Sequence, residues 1–252
     1  MEGSTATVVV SSADEIAVAW LGDSNAVVCL LEEVGVGVVE EDAGAGKVER
    51  QGDNRGRTSG SGSDDENANC NKRSDYVAHW VTASHSPNRD DERARIEACG
   101  GQVGRLMRML DDGNEYPYGP WRVTTGGGKG GLAVSRALGD CALREVVSDD
   151  SEVHAIAIPT RSQVGRREAG GGDRRGDGNG NISLTSLPRW GRGFVVVASD
   201  GLWDALTPQD ACDLVGSLPS TATVDDACEA LVSEALGRGS QDNVAVVLLV
   251  DL

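Results

Sequence analysis

The chain has 252 residues, with 40 acidic and 23 basic side chains and a formal charge of −17. That balance argues against a protein built to coat DNA or RNA, because phosphate contact needs a basic face. It suits a soluble protein, or one whose acids hold cations. Aromatics make up 4% and Phe194 is the single phenylalanine, so Val, Leu and Ala must do most of the packing.

In chain order, Thr5–Val10, Ile16–Leu21 and Ala26–Leu31 are apolar runs of strand length. Gly22-Asp23-Ser24-Asn25 reads as a turn, so the second and third runs are expected to pair as a hairpin. Residues 32–75 are rich in Gly, Asp, Glu, Ser and Asn and read as a flexible acidic insertion. Val77–Thr82 is a further strand. Asp90–Cys99 reads as a helix that stops at Gly100-Gly101. Val153–Ile158 is another strand. Residues 161–192 carry seven Arg and three acids and read as a flexible Gly/Arg-rich insertion. Phe194–Ala198 and Val244–Val250 are continuous apolar runs, the pattern of strands buried on both faces. Thr207 and Thr223 are expected to cap helices, with Pro208 in the first turn of one. Apolar residues from Val224 to Leu236 fall on one helical face, and Gly237 is expected to end that helix. Strands cluster without regular β-α alternation, so an α+β fold with antiparallel sheets is expected.

No window of about 18 apolar residues exists, so no membrane span is expected. Met1–Ser12 lacks the basic and apolar regions of a signal peptide. The six cysteines form no C-x-x-C pair, which argues against a zinc site or a disulfide framework, and only three histidines occur, which excludes a His-rich metal site. Reduced thiols in a cytoplasmic or nuclear compartment are expected. The segment 126–131 (GGGKGG) lacks the order of a phosphate-binding P-loop, and Ser135 lacks the surroundings of a hydrolase nucleophile.

Three aspartates sit at strand ends: Asp23 in the Gly-Asp-Ser turn, Asp200 after a buried strand, and Asp242 before another. Taken singly each is an ordinary turn residue, because Asp bonds its own backbone in turns. Converging, they would make an all-oxygen site suited to Mg²⁺ or Mn²⁺.

Five segments stand in one order: AWLGDSNAVV at 19–28, SHSPNRDDERARIEACGGQV at 84–103, GLAVSRALGD at 131–140, FVVVASDGLWDAL at 194–206 and SQDNVAVVL at 240–248. Together they resemble the metal-dependent protein serine/threonine phosphatases of the type 2C (PPM) family. The resemblance implies two packed antiparallel β-sheets flanked by helices, an α-β-β-α sandwich, as one partial domain over residues 1–252 that lacks its N-terminal part. It implies phosphoserine or phosphothreonine proteins as substrates and two Mg²⁺ or Mn²⁺ ions, with a third in some members. Asp200 and Asp242 match ligands of the two-metal centre. Asp23 matches the residue associated with the third ion, and Asp204 would help hold it. Arg136 is expected to tie loops together beside Asp140. A monomer is expected, with neither nucleic acid nor membrane as partner.

The departures are specific. Asn25 stands where the family's Gly-Asp-Ser motif continues with Arg, and no Asp-Gly-His occurs anywhere in the chain. The resemblance therefore leaves no catalytic residue to assign: the bridging Asp, the phosphate-binding Arg and the general-acid His have no match. A two-metal site without its bridging carboxylate should bind cations weakly, so this chain is expected to be inactive or nearly so. Three functions follow from this pattern: a phosphatase, a pseudophosphatase that holds a phosphoprotein or kinase, and a nucleic-acid-associated protein acting through 161–192.

Overall fold

The computed structural model describes residues 2–12, 14–31, 37–38, 74–111, 113–125, 131–158 and 190–250. Its strands are β1 (Gly3–Ser4), β2 (Ala6–Ser11), β3 (Glu15–Leu21), β4 (Asn25–Leu31), β5 (Gly37–Val38) and β6 (Tyr76–Trp80). They continue as β7 (Gln102–Met109), β8 (Glu115–Thr124), β9 (Leu138–Gly139), β10 (Glu152–Ala157), β11 (Gly193–Ala198) and β12 (Val246–Leu249). The helices are α1 (Asp90–Ala98), α2 (Asp200–Trp203), α3 (Pro208–Gly216) and α4 (Val224–Gly237).

Two four-stranded antiparallel sheets form the body, one in the order β2-β3-β10-β5 and the other β12-β11-β4-β6. β3 alternates, sending Ile16, Val18 and Trp20 inward. They meet Ala26, Val28 and Leu30 of β4 and Val195 of β11 between the sheets. β4 and β11 do not alternate, because both of their faces are covered. Val27, Cys29, Phe194 and Val196 point the other way, into a second core against Ala211, Cys212 and Val215 of α3 and Ala227, Leu231 and Ala235 of α4. The sandwich is therefore α+β with two packed antiparallel sheets, as expected.

The outer face of the first sheet differs. Among the described residues, Val8 (57%), Val10 (64%) and Val153 (69%) stay exposed there. The register sets Val8 beside Ala19 and Ala19 beside Val153, so this surface is continuous across three strands.

Both threonine caps form. Thr207 and Thr223 each accept from the backbone N–H three residues on, and Asp210 and Asp226 return the bond to the caps. That satisfies helix donors which otherwise have no partner. Gly100 takes φ +81 just past α1, as a C-terminal stop requires.

Three expectations need correction. β3 and β4 are not a hairpin: they lie in different sheets, and Gly22-Asp23-Ser24 carries the chain across the sandwich. β3 pairs with β2 instead, from Ala6↔Leu21 to Ser11↔Ile16. The run Val244–Val250 is only partly strand and is not buried on both faces. β12 is an edge strand, so Val247 is 59% exposed. Gly237 ends α4 as expected, and a left-handed turn follows at Gly239 (φ +91). Finally, Trp190, placed inside the Gly/Arg-rich insertion, is buried core, and its indole donates to the Val215 carbonyl at 2.9 Å. Most of both insertions, the glycine run before Gly131 and Cys70 lie outside the described residues. The other five cysteines are free thiols.

Candidate metal centre

Sheet register places the strand-end aspartates. Ala198 of β11 pairs with Asn25 of β4 on one side and with Val246 of β12 on the other. Asp200 follows Ala198 by two residues, Asp23 precedes Asn25 by two, and Asp242 lies just before Val246. All three are thereby delivered to the same end of the second sheet. Asp204 follows α2 and turns back toward them.

Short bonds lock the loops there. The Ser199 hydroxyl donates to the Asn243 carbonyl (2.9 Å) and accepts from the Ala245 N–H (3.1 Å). The Ser240 hydroxyl donates to the Gly201 carbonyl (2.7 Å). The Trp203 indole donates to the carbonyls of both Asn25 and Ala198. Asn25, in the position of the family's Arg, is buried. Its amide donates to the Asp23 carbonyl (3.0 Å) and to the Ser84 hydroxyl (2.7 Å). It accepts from the Thr82 hydroxyl at 2.9 Å. This substitution is thus built into the turn.

The four carboxylates are near enough for their charges to act on Asp23 and Asp200, but among the described residues no three of them bring oxygens within 4.8 Å of one another. Burial, then the charge of Asp200, pushes the Asp23 carboxyl up to about 6, with Asp204 and Asp242 adding to the effect. Burial and then Asp242 raise Asp200. Among the described residues no Arg or Lys pairs with any of the four. Like charges without counter-charge are costly, and a hard divalent cation with oxygen ligands is the group that relieves them. The donor set therefore suits a hard divalent cation. Beside it, Asp204 and Asp242 line a cavity of about 390 Å³ with Ala205, Arg238, Gly239, Ser240 and Gln241.

A second acidic group was not foreseen from the sequence. Asp91, Glu92 and Glu152 bring carboxylate oxygens within 4.8 Å of one another. This group already has its cations. Glu92, 1% exposed, accepts from Arg95 (2.8 Å), Arg136 (2.5 Å) and Arg89 (3.3 Å). Glu152 accepts from Arg136 (3.1 Å) and from Arg89. Burial alone would raise the Glu92 carboxyl, but the bonds from Arg136 and Arg95 hold it down to about 2. Three guanidiniums leave a metal ion little to gain, so this is a structural ion-pair network. Arg136 is part of it and does not pair with Asp140, which is the expectation corrected here. Asp140 instead takes a left-handed backbone (φ 47) against Gly3. The sequence signal for the network was the i,i+3 spacing of Arg89, Glu92 and Arg95 on one helix face.

The model for the protein phosphatase 2C family matches residues 1–42, 68–165 and 180–244. Among curated relatives, a rice protein described as probable protein phosphatase 2C 74 is 34% identical over 176 residues, covering 70% of this chain and 32% of its own. An Arabidopsis protein described as probable protein phosphatase 2C 51 is 29% identical over 267 residues, covering 98% of this chain and 40% of its own. The chain thus spans between about a third and two fifths of the length of these relatives. Among solved structures, serine-threonine phosphatase 2C from Toxoplasma gondii superposes with a TM-score of 0.54 at 17% identity, covering 98% of this chain and 57% of that one. That likeness carries the fold. With the family model matching most of the sequence, the chain belongs to the protein phosphatase 2C family.

Proposed function

We propose that this chain serves metal-dependent dephosphorylation of phosphoserine and phosphothreonine proteins. In this reading Asp200 and Asp242 hold Mg²⁺ or Mn²⁺ at a two-metal centre, and Asp23 with Asp204 holds a further ion. The observation that carries it is the delivery of Asp23, Asp200 and Asp242 to one sheet end, where neighbouring acids raise the Asp23 and Asp200 carboxyls and, among the described residues, no Arg or Lys pairs with them. When bound, the ions polarise the phosphate and lower the pKa of the attacking water. The chain's own part is positional. Ser199 and Ser240 fix the Asp200 and Asp242 loops against each other, and the adjoining cavity gives a phosphorylated side chain room to enter.

The 252 residues contain no Asp-Gly-His. The proposal therefore includes a limit: on its own the chain has no carboxylate bridging two ions and no His to protonate the leaving serine, so turnover stays near background. The test is hydrolysis of a phosphothreonine peptide by the full chain with Mn²⁺ and with a chelator. Turnover at rates typical of enzymes, about 1 s⁻¹ or more, abolished by chelator, overturns the limit. No Mn²⁺ binding at all overturns the metal reading.

The missing catalytic motif favours a second reading, a pseudophosphatase that holds a phosphoprotein. Here the same peptide binds in a Mn²⁺-dependent way and is not cleaved. In either case the proposed setting is cytoplasmic or nuclear, without nucleic acid or membrane as partner.

A further inference from the structure

We propose that His85 is the positioning residue of the Asp23 turn, acting through Gly22. This rests on the reading of Asp23 as a metal ligand. Gly22 immediately precedes Asp23 in the segment that crosses between the two sheets. Both of its backbone polar groups go to one residue. Its N–H donates to His85 Nδ1 at 3.0 Å, and its carbonyl accepts from the His85 N–H at 2.9 Å.

Gly22 needs such a clamp. It sits at φ +95, and a Cβ there would lie 2.2 Å from Thr5 Cγ2. No side chain can therefore stiffen this position, and glycine is the residue with the most backbone freedom to lose. An Asp that follows a freely hinged glycine would not be held toward Asp200. The two bonds to His85 remove that freedom.

His85 is itself held by packing and through its backbone. It is fully buried, and its ring stacks on Trp20 with centroids 6.0 Å apart. Its carbonyl accepts from both the N–H (2.8 Å) and the hydroxyl (2.9 Å) of Ser135. Because Nδ1 accepts from Gly22, the ring proton belongs on Nε2, which lies 3.4 Å from Glu152 Oε1 without forming a hydrogen bond to it. Glu152 is held in turn by Arg89 and Arg136. The ion-pair network thus lies against the imidazole that holds the Asp23 turn: the bond from the Gly22 N–H fixes the tautomer, with Nδ1 as acceptor and the Nε2 proton on the side of Glu152. Outer partners of this kind orient metal ligands in many sites.

Two substitutions separate positioning from mere packing. In His85→Asn the amide oxygen stands near the place of Nδ1 and can still accept. In His85→Gln it stands near Nε2 and cannot. The full chain is titrated with Mn²⁺, followed by electron paramagnetic resonance of free Mn²⁺, with Asp23→Asn as reference. Gly22 amide hydrogen exchange and thermal midpoint are measured on each variant. The expected result is that His85→Asn keeps Mn²⁺ affinity and slow Gly22 exchange. His85→Gln, at a similar midpoint, exchanges Gly22 faster and loses affinity by about tenfold, at the lower end for outer partners. Equal affinity and equal exchange in the two variants, with Asp23→Asn weakened, overturns the inference alone. An Asp23→Asn variant that binds Mn²⁺ like the parent overturns the metal reading and the inference with it, whatever the exchange rates. If His85→Gln does not fold, His85→Asn decides: affinity near the parent supports the clamp, and a loss of about tenfold overturns it.

Discussion

Gly201 lies so close to Asn243 that a Cβ on the glycine would stand 2.5 Å from the Asn243 carbonyl oxygen. Only glycine lets the loop carrying Asp200 rest on the loop carrying Asp242. Gly201→Ala is expected to force the backbones apart, at a cost of about 1–3 kcal/mol typical of overpacking. The separation should also weaken divalent binding. Thermal denaturation with and without Mn²⁺ checks both effects, and an unchanged Mn²⁺-induced shift refutes the second.

Removing charge from the aspartate cluster should have opposite effects with and without metal. Asp200→Asn relieves repulsion with Asp242, so the metal-free midpoint rises. The same variant should lose the stabilisation that the parent gains from Mn²⁺, which for a single site at a hundred times Kd is about 2.7 kcal/mol. A parallel rise in both conditions would show that Asp200 does not touch the ion.

Glu92 governs acid stability. Its carboxyl is held at about 2, below its ordinary value of 4.5. A folded-state pKa below the unfolded one means that the unfolded chain binds more protons between these values. The contribution is therefore complete above about 4.5 and is lost as pH falls toward 2. At 1.36 kcal/mol per unit this amounts to about 3 kcal/mol. Urea unfolding from pH 6 down to pH 2.5 should show the loss. Glu92→Gln should flatten it while lowering neutral-pH stability by about 3–5 kcal/mol, since three arginines lose their partner.

The bare valine face of the first sheet predicts self-association. Val8, Val10 and Val153 are each more than half exposed, in one continuous patch. Val10→Lys places a charge on that patch without touching either core. Light scattering against concentration should fall in this variant, while the thermal midpoint moves by no more than about 0.5 kcal/mol, as for other surface changes.

Much of this arrangement was legible in the sequence. The non-alternating run at β11 showed burial on both faces, and the threonine caps fixed two helix starts. The strand-end positions of Asp23, Asp200 and Asp242 already suggested convergence. What could not be read depends on partners distant in sequence. A turn of hairpin length between β3 and β4 leads into a different sheet, because β4 finds β11 and β6 while β3 finds β2 and β10. The hairpin of β7 and β8 was also missed. Pro117, Gly119 and Pro120 lie inside β8, and most of both strands is exposed, so no burial period marks them. The place of Arg136 went unread for the same reason: its partners, Glu92 and Glu152, come from other elements.

The pairing of Asn25 with Ala198 joins residues separated by most of the chain. Closing so long a loop is entropically slow, and contacts of this kind form late in folding. The aspartate end of the sandwich is therefore complete only when β11 has docked between β4 and β12. Before that moment Asp23 and Asp200 are strangers in the chain, and a cation has nothing to hold. Ion binding should thus leave the folding rate almost untouched and act on the unfolding rate, as a latch that closes after assembly rather than a seed that starts it.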